Sequence, residues 1–252
     1  MSNSLLNINE ETGLFKEEQK MNHEEAQVNY EGYEHHDYFR EIPFIRLKKL
    51  LEKANIEINN TYLHIASCGS GIDIYYLSKY YNVKILASDY SNEAVERVRK
   101  TFANVEVKVE DNEKLSFNDN YFDWSFIAAS LHHLPRPILG LYELLRVSKQ
   151  GIIMIEPNDS LLTRWATRMR MVQEYEASGN YVYRISKGEI YKIAHSGYCD
   201  YFIDRCFAPH RVAKGHLEFL FLKWLTRFCN ALVAPLGNYI IFVIKKRSDS
   251  VV

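Results

Sequence analysis

The stretch HIASCGSGIDI, residues 64–74, sets Gly69 and Gly71 at the end of an apolar run. Two glycines so placed let backbone N–H groups approach a ligand closely, and a helix starting behind them adds a partial positive charge. Asp89 follows Gly71 by eighteen residues and closes a second run, VKILASD. A carboxylate at that place accepts from both hydroxyls of a ribose. Asp111 closes a third run, VEVKVED, with Asn112 behind it. His132 and His133 follow a fourth, YFDWSFIAA. An imidazole with an unperturbed pKa of ~6.5 suits a general base. The pattern predicts a ligand site at three consecutive strand tips and a proton acceptor after the fourth.

Other ligands fit the turn poorly. Counted from Gly69, the third glycine of G-x-G-x-x-G is Ile74, so the dinucleotide fingerprint fails, and no Gly-Lys-Ser/Thr follows. Cys68, Cys199, Cys206 and Cys229 form no C-x-x-C, so no metal site is expected. Such sparse cysteines read as reduced thiols of a cytoplasmic protein. With a net charge of −1 the chain has no global field to hold nucleic acid. No apolar run is long enough for a membrane span, and the first residues lack the pattern of a signal peptide.

Alternating elements must carry these residues. TYLHIAS, VKILASD, VEVKVED, YFDWSFIAA and GIIMIEP read as strands; IDIYYLSKYY, SNEAVERVRKTF and RPILGLYELLRVSK read as helices between them, with Ser91 as an N-cap. The βαβα order predicts an α/β fold with a doubly wound, mostly parallel sheet. Two more strands, CDYFIDRCF and NYIIFVIKKR, close the chain. Residues 1–60 are expected to be an N-terminal extension that docks through a helix over about 43–54, Pro43 lying near its first turn. Residues 61–252 form the main domain, with an insertion at about 158–197 that carries a capping box, Ser186 with Glu189. The apolar stretch HLEFLFLKWLTRFCNALVAPLG is expected to be a core helix whose Lys223 and Arg227 mark its wet side.

The blocks HIASCGSG, ASDYSNEAVERVRK, VEDNEKLSFNDNYFDWSFIAASLHHLPRP and LLRVSKQGIIMIEPN resemble consecutive motifs of the class I S-adenosylmethionine-dependent methyltransferases. The match is nearest to the small-molecule branch that includes ubiquinone and menaquinone, sugar and natural-product methyltransferases, and it covers about residues 61–157. The resemblance implies a Rossmann-like seven-stranded sheet with an antiparallel C-terminal strand. It implies S-adenosylmethionine as cofactor, held by Ser67, Cys68, Gly69, Gly71, Asp73, Asp89, Tyr90, Asp111, Asn112 and Ala128. Where the family has an acid and a first glycine, this chain has Ile65 and Ser67; Asp73 is positioned to replace the acid.

Methyl transfer needs an aligned nucleophile, exclusion of water and often removal of a proton. His132 and His133 are the candidate catalytic residues. Substrate candidates are Tyr30, Tyr33, His36 and Tyr38, in an aromatic arm expected to act as a lid, together with Glu156, Tyr181, Tyr183 and Arg184. Arg164, Arg168 and Arg170 share one face of a predicted helix and would meet an anionic group or simply solvent. A non-catalytic cofactor-binding or partner-binding module on the same fold is the alternative, supported by Ile65 and Ser67.

Overall fold

The structure, a computed structural model, describes residues 34–175, 180–209, 213 and 215–247. Helix α1 runs Glu34–Lys53. Strand β1 (Tyr62–Ile65), helix α2 (Ile72–Tyr80), β2 (Lys84–Asp89), α3 (Asn92–Thr101), β3 (Glu106–Val109) and β4 (Phe122–Ala128) follow. Next come a short 3₁₀ turn (Leu131–His133), α4 (Pro137–Val147), β5 (Ser148–Pro157), α5 (Leu161–Arg168), α6 (Lys187–Ser196), β6 (Cys199–Cys206), α7 (His216–Leu232), a second 3₁₀ turn (Ala234–Leu236) and β7 (Tyr239–Lys246).

The strands form one seven-stranded sheet in the order β3-β2-β1-β4-β5-β7-β6. Strands β1 to β5 pair in parallel, and β7 runs antiparallel to both β5 and β6. The expected mostly parallel, Rossmann-like sheet with an antiparallel last strand is therefore present. Strand order reverses between β1 and β4, and the crevice at such a switch point is where open α/β sheets bind ligands.

Alternation along the strands feeds two cores. Ile153, Ile155, Ile241 and Val243 face one side, where α1, α2 and α3 lie. Ile152, Met154, Ile240, Phe242 and Ile244 face the other, covered by α4 and α6. A strand buried on both faces has no polar side to show, which is why GIIMIEP and NYIIFVIKK are continuous apolar runs.

Helix α1 is longer than expected, and Pro43 lies inside it rather than near its first turn. Proline removes a helical N–H and crowds the carbonyl four residues back. Packing outweighs that cost. Phe39, Phe44, Leu47, Leu50 and Leu51 are all buried, and each such side chain contributes about 1.5–3 kcal/mol. Phe44 stacks on Tyr76 at 4.7 Å between ring centroids, and Arg46 donates to Asp204 at 2.6 Å. The described part of the extension, from residue 34 on, is thus part of the core that supports the sheet.

Helix α5 is shorter than LLTRWATRMRMVQEY suggests: it stops at Arg168, and Arg170 turns into the left-handed region at φ 55°. The capping boxes at Ser160 and Ser186 define the starts of α5 and α6. Helix α7 forms as expected, but its apolar side faces outward, and within it only Thr226 is buried.

One polar network crosses the sheet interior. His64 is fully buried on β1, with Nε2 2.8 Å from Ser88 Oγ and Nδ1 3.5 Å from Ser125 Oγ. Ser148 donates to Ser125 at 2.7 Å. Burial pushes the imidazole down to about 3, so His64 stays neutral and stacks on Phe122.

Candidate active site

The glycine turn is built by backbone. Gly71 N donates to the Cys68 carbonyl at 2.7 Å, and Cys68 N donates to the Ser88 carbonyl at 2.9 Å. Ser67, Gly69 and Gly71 all have positive φ, at 51°, 48° and 83°. Ser67 adopts the left-handed conformation although it is not glycine, at a cost of about 1–2 kcal/mol. Its hydroxyl accepts from Asn112 Nδ2 at 2.7 Å, which helps to hold it there.

The two glycines differ in what surrounds them. A Cβ on Gly71 would lie 2.5 Å from the Phe102 ring, so this glycine serves packing between the turn and the end of α3. A Cβ on Gly69 would meet only the Ser67 carbonyl, at 4.0 Å. Of the two, Gly69 is the glycine that borders open space.

Asp89 ends β2 beside the turn. Its Oδ2 accepts from Gly69 N at 2.9 Å and its Oδ1 from Ser91 N at 2.9 Å. Tyr90 next to it is 36% exposed. At the tip of β3, Asp111 Oδ1 accepts from Glu113 N at 2.9 Å, and it is Asn112 that is buried against Ser67. The Asn112 Oδ1 atom is buried with no hydrogen-bond partner. A buried acceptor left bare costs about 1–3 kcal/mol. Glu113, unremarked in the sequence, pins this loop: it accepts from Arg136 Nε at 3.1 Å and Nη2 at 2.8 Å.

Asp73, in the first turn of α2, is 6% exposed. No described residue hydrogen-bonds its carboxyl, which burial and the nearby Glu156 carboxylate push up to about 7. A buried, unpartnered acid invites a cation. The buried Cys68 thiol is pushed up by burial, and further by Asp89 and Asp73, so it is inert filling beneath the turn.

Across the switch point, Ala128 ends β4, and Ala129 beyond it is held at φ 46°. His132 is buried, with Nδ1 3.2 Å from Glu156 Oε2. The other Glu156 oxygen accepts from Ser130 N at 3.1 Å and Leu131 N at 2.9 Å. Glu156, expected to touch an acceptor, is instead 1% exposed and supports the histidine turn from below. A carboxylate only accepts, so Nδ1 of His132 carries the proton and Nε2 is the basic nitrogen. The His133 ring lies 4.2 Å from that of His132, centroid to centroid.

A cavity of about 520 Å³ opens beside α5, lined by Asp159, Arg164, Thr167, Arg168, Arg170, Glu174, Tyr181, Tyr183, Arg184 and Glu189. Three of the expected substrate residues meet here. Asn180 donates to the His132 carbonyl at 3.4 Å, joining the cavity wall to the histidine turn. Tyr183 bonds Glu189, and Arg184 donates to the Gln173 carbonyl at 2.6 Å. Tyr38 is on α1, not in a loop, and packs on Phe219 of α7 at 5.8 Å. Tyr30, Tyr33 and the side chain of His36 lie outside the described residues, as does most of the expected lid.

Residues 65–155 match the family model of a methyltransferase domain. Over these residues the chain carries a methyltransferase domain. The match spans the glycine turn, Asp89, Asn112 and the histidine turn, and ends one residue before Glu156. Solved structures share the fold. The magnesium protoporphyrin IX methyltransferase of Synechocystis PCC 6803, solved with SAH bound, is 12% identical, with 91% of this chain and 94% of that one covered and a TM-score of 0.57. A SAM-dependent methyltransferase of Methanosarcina mazei is 15% identical over 79% of this chain and 98% of its own, at 0.55. The 4+2 cyclase SpnF, 16% identical over 81% of each chain, shares the fold at 0.50. No curated protein matches the chain. Among the described residues, no metal-binding cluster is found and no helix is long and apolar enough to cross a membrane.

Proposed function

We propose that this methyltransferase domain moves a methyl group from S-adenosylmethionine to a small-molecule acceptor of the sugar, natural-product or quinone-like kind. The observation that carries the reading is the convergence of Gly69 N–H, Asp89, Asn112 and Asp73 on one edge of the sheet, with the His132–Glu156 pair across the switch point.

The residues present fit the cofactor. Asp89 would hold the ribose hydroxyls. Asn112, with its bare Oδ1, would take the amino group of the adenine. Asp73 would face the positively charged end, in place of the acid that Ile65 displaces. Ser67 keeps the left-handed turn without being glycine, so the missing first glycine does not abolish the cradle. That favours a catalytic site over a binding module that has lost its turn. When bound, the cofactor supplies an electrophilic methyl on a sulfonium.

The chain's own residues supply the rest. Glu156 orients the His132 ring and fixes its tautomer, so Nε2 is the atom that takes the acceptor's proton. The arginine-lined cavity holds an anionic group of the acceptor, with Arg168 and Arg170 as its contacts. Calorimetric titration with S-adenosylmethionine, followed by turnover on a panel of acceptors with and without an anionic group, tests the proposal. A chain that binds the cofactor but methylates none of them would leave the binding-module reading standing.

A further inference from the structure

We propose that the outward faces of α5 and α7 seat this protein on an anionic phospholipid bilayer. The inference goes beyond the methyl-transfer reading and does not depend on it.

Helix α7 is turned the wrong way for water. Its inward side carries Phe219, Leu222, Thr226 and Cys229, half-buried or buried. Its outward side carries Leu217 (83% exposed), Phe221 (59%), Trp224 (59%), Phe228 (49%) and Leu232 (65%). With 100° per residue these five fall on one narrow stripe along the helix. Trp224 stacks on Phe228 at 5.5 Å, so the stripe is a continuous aromatic ridge. A soluble helix puts such a stripe inward. Helix α7 is also firmly placed, with Lys223 over the Tyr38 ring at 4.9 Å and Phe219 against Phe39 at 5.8 Å.

A second helix repeats the pattern. On α5 and its cap, Leu161 (74% exposed), Trp165 (52%) and Met169 (57%) face outward. Both helices pack against the same turn, Ala234–Leu236, and Ser160 donates to the Leu236 carbonyl at 3.0 Å. Both emerge at the edge of the sheet where β5 and β6 end, the edge that carries the glycine turn and His132.

Charge selects the occupant. The exposed cations of the two helices are Arg164, Arg168 and Arg227, with Arg164 paired to Asp159 and Lys223 turned in over the Tyr38 ring, and the one acid in either helix is Glu218, in a chain whose net charge is −1. Tryptophan, phenylalanine and leucine flanked by Lys and Arg form the composition of a helix lying in the headgroup layer of an anionic membrane. Because no described helix is long and apolar enough to cross, the chain lies on the surface.

The test uses the full chain and vesicles of phosphatidylcholine with and without phosphatidylglycerol. Flotation should show the wild type bound to the anionic vesicles and released by high salt, with binding to neutral vesicles about tenfold weaker. Tryptophan emission should shift to the blue on binding, reporting Trp165 and Trp224. The double variant Phe221→Glu, Trp224→Glu changes only exposed side chains and should keep its thermal transition while losing at least tenfold in vesicle binding. Arg168→Glu with Arg227→Glu should remove the preference for anionic lipid. Failure to float with either vesicle would overturn the proposal. So would equal binding to both, or a concentration-dependent dimer that the double variant abolishes without any vesicle binding. Cofactor titration without vesicles reads the methyl-transfer proposal separately.

Discussion

The Gly69 amide donates to Asp89 Oδ2 at 2.9 Å, across a separation of twenty residues. The acid expected to bind ribose therefore also holds the glycine turn in shape. Replacing Asp89 with Ala should remove a charge-assisted contact and loosen the cradle, costing about 1.5–3 kcal/mol of cofactor binding, or roughly ten- to a hundredfold in affinity. Calorimetry checks this. Unchanged affinity would reduce Asp89 to a loop acid.

The glycines should separate by assay. Gly71→Ala drives a Cβ into the Phe102 ring and should lower the melting temperature. Gly69→Ala keeps the same side of the turn open except toward the crevice, so it should lose cofactor affinity with the smaller loss of stability. Strain at positive φ costs both variants about 1–2 kcal/mol. The reverse order of effects would place the ligand on the Phe102 side.

Asp73 should make cofactor binding depend on pH. Its carboxyl is raised from 3.8 to about 7, so the folded state holds that proton more tightly than the unfolded chain. Stability from this group then falls as pH rises from about 4 to about 7, by a few kcal/mol at most, and is flat above that. A bound cation favours the ionised acid, so affinity should rise up to about pH 7 and level off. Asp73→Asn should stabilise the cofactor-free protein at pH 8 and abolish the rise. A pH-independent affinity in the wild type would sink this assignment.

His132 and His133 should behave differently in turnover. His132→Ala should lower kcat by about 10²–10⁴ with cofactor affinity kept. His133→Ala should do far less. Glu156→Gln acts through His132 and should change the pH profile of kcat as well as its height. If both histidine variants turn over normally on a true acceptor, the proton leaves by another route.

His64 provides a stability signal independent of function. Its imidazole is pushed down to about 3 by burial, so the unfolded chain binds the proton first. Stability should fall as pH drops through about 6.5 toward 3, by about 1.4 kcal/mol per unit at most, and be unaffected above 6.5. Chemical denaturation of His64→Gln against the wild type over this range isolates the slope. Parallel curves would show that the site admits a charged imidazole.

Local signals were sufficient for the order of elements. Apolar runs ending in Gly69, Asp89 and Asp111, the Ser91 cap and the Ser186–Glu189 box each depend on neighbours in the chain, and each is where the sequence put it. A parallel order then brings the strand tips to one edge, so the candidate cofactor site was legible before any coordinates. Facing directions were not. Periodicity says that α7 has an apolar stripe but not which way it turns; that depends on whether Phe219 or Phe221 finds a partner, and the partners, Tyr38 and Phe39, lie on α1, far away in sequence. Pro43 inside α1 is likewise tolerated only because the surrounding side chains are buried. The pairing of Glu156 with His132, the contact of Asn112 with Ser67 and the bare Asp73 carboxyl join residues from separate elements. Hydrogen bonding and desolvation act through space, so only the tertiary structure decided which of these acids supports a histidine and which is buried without a hydrogen bond from a described residue.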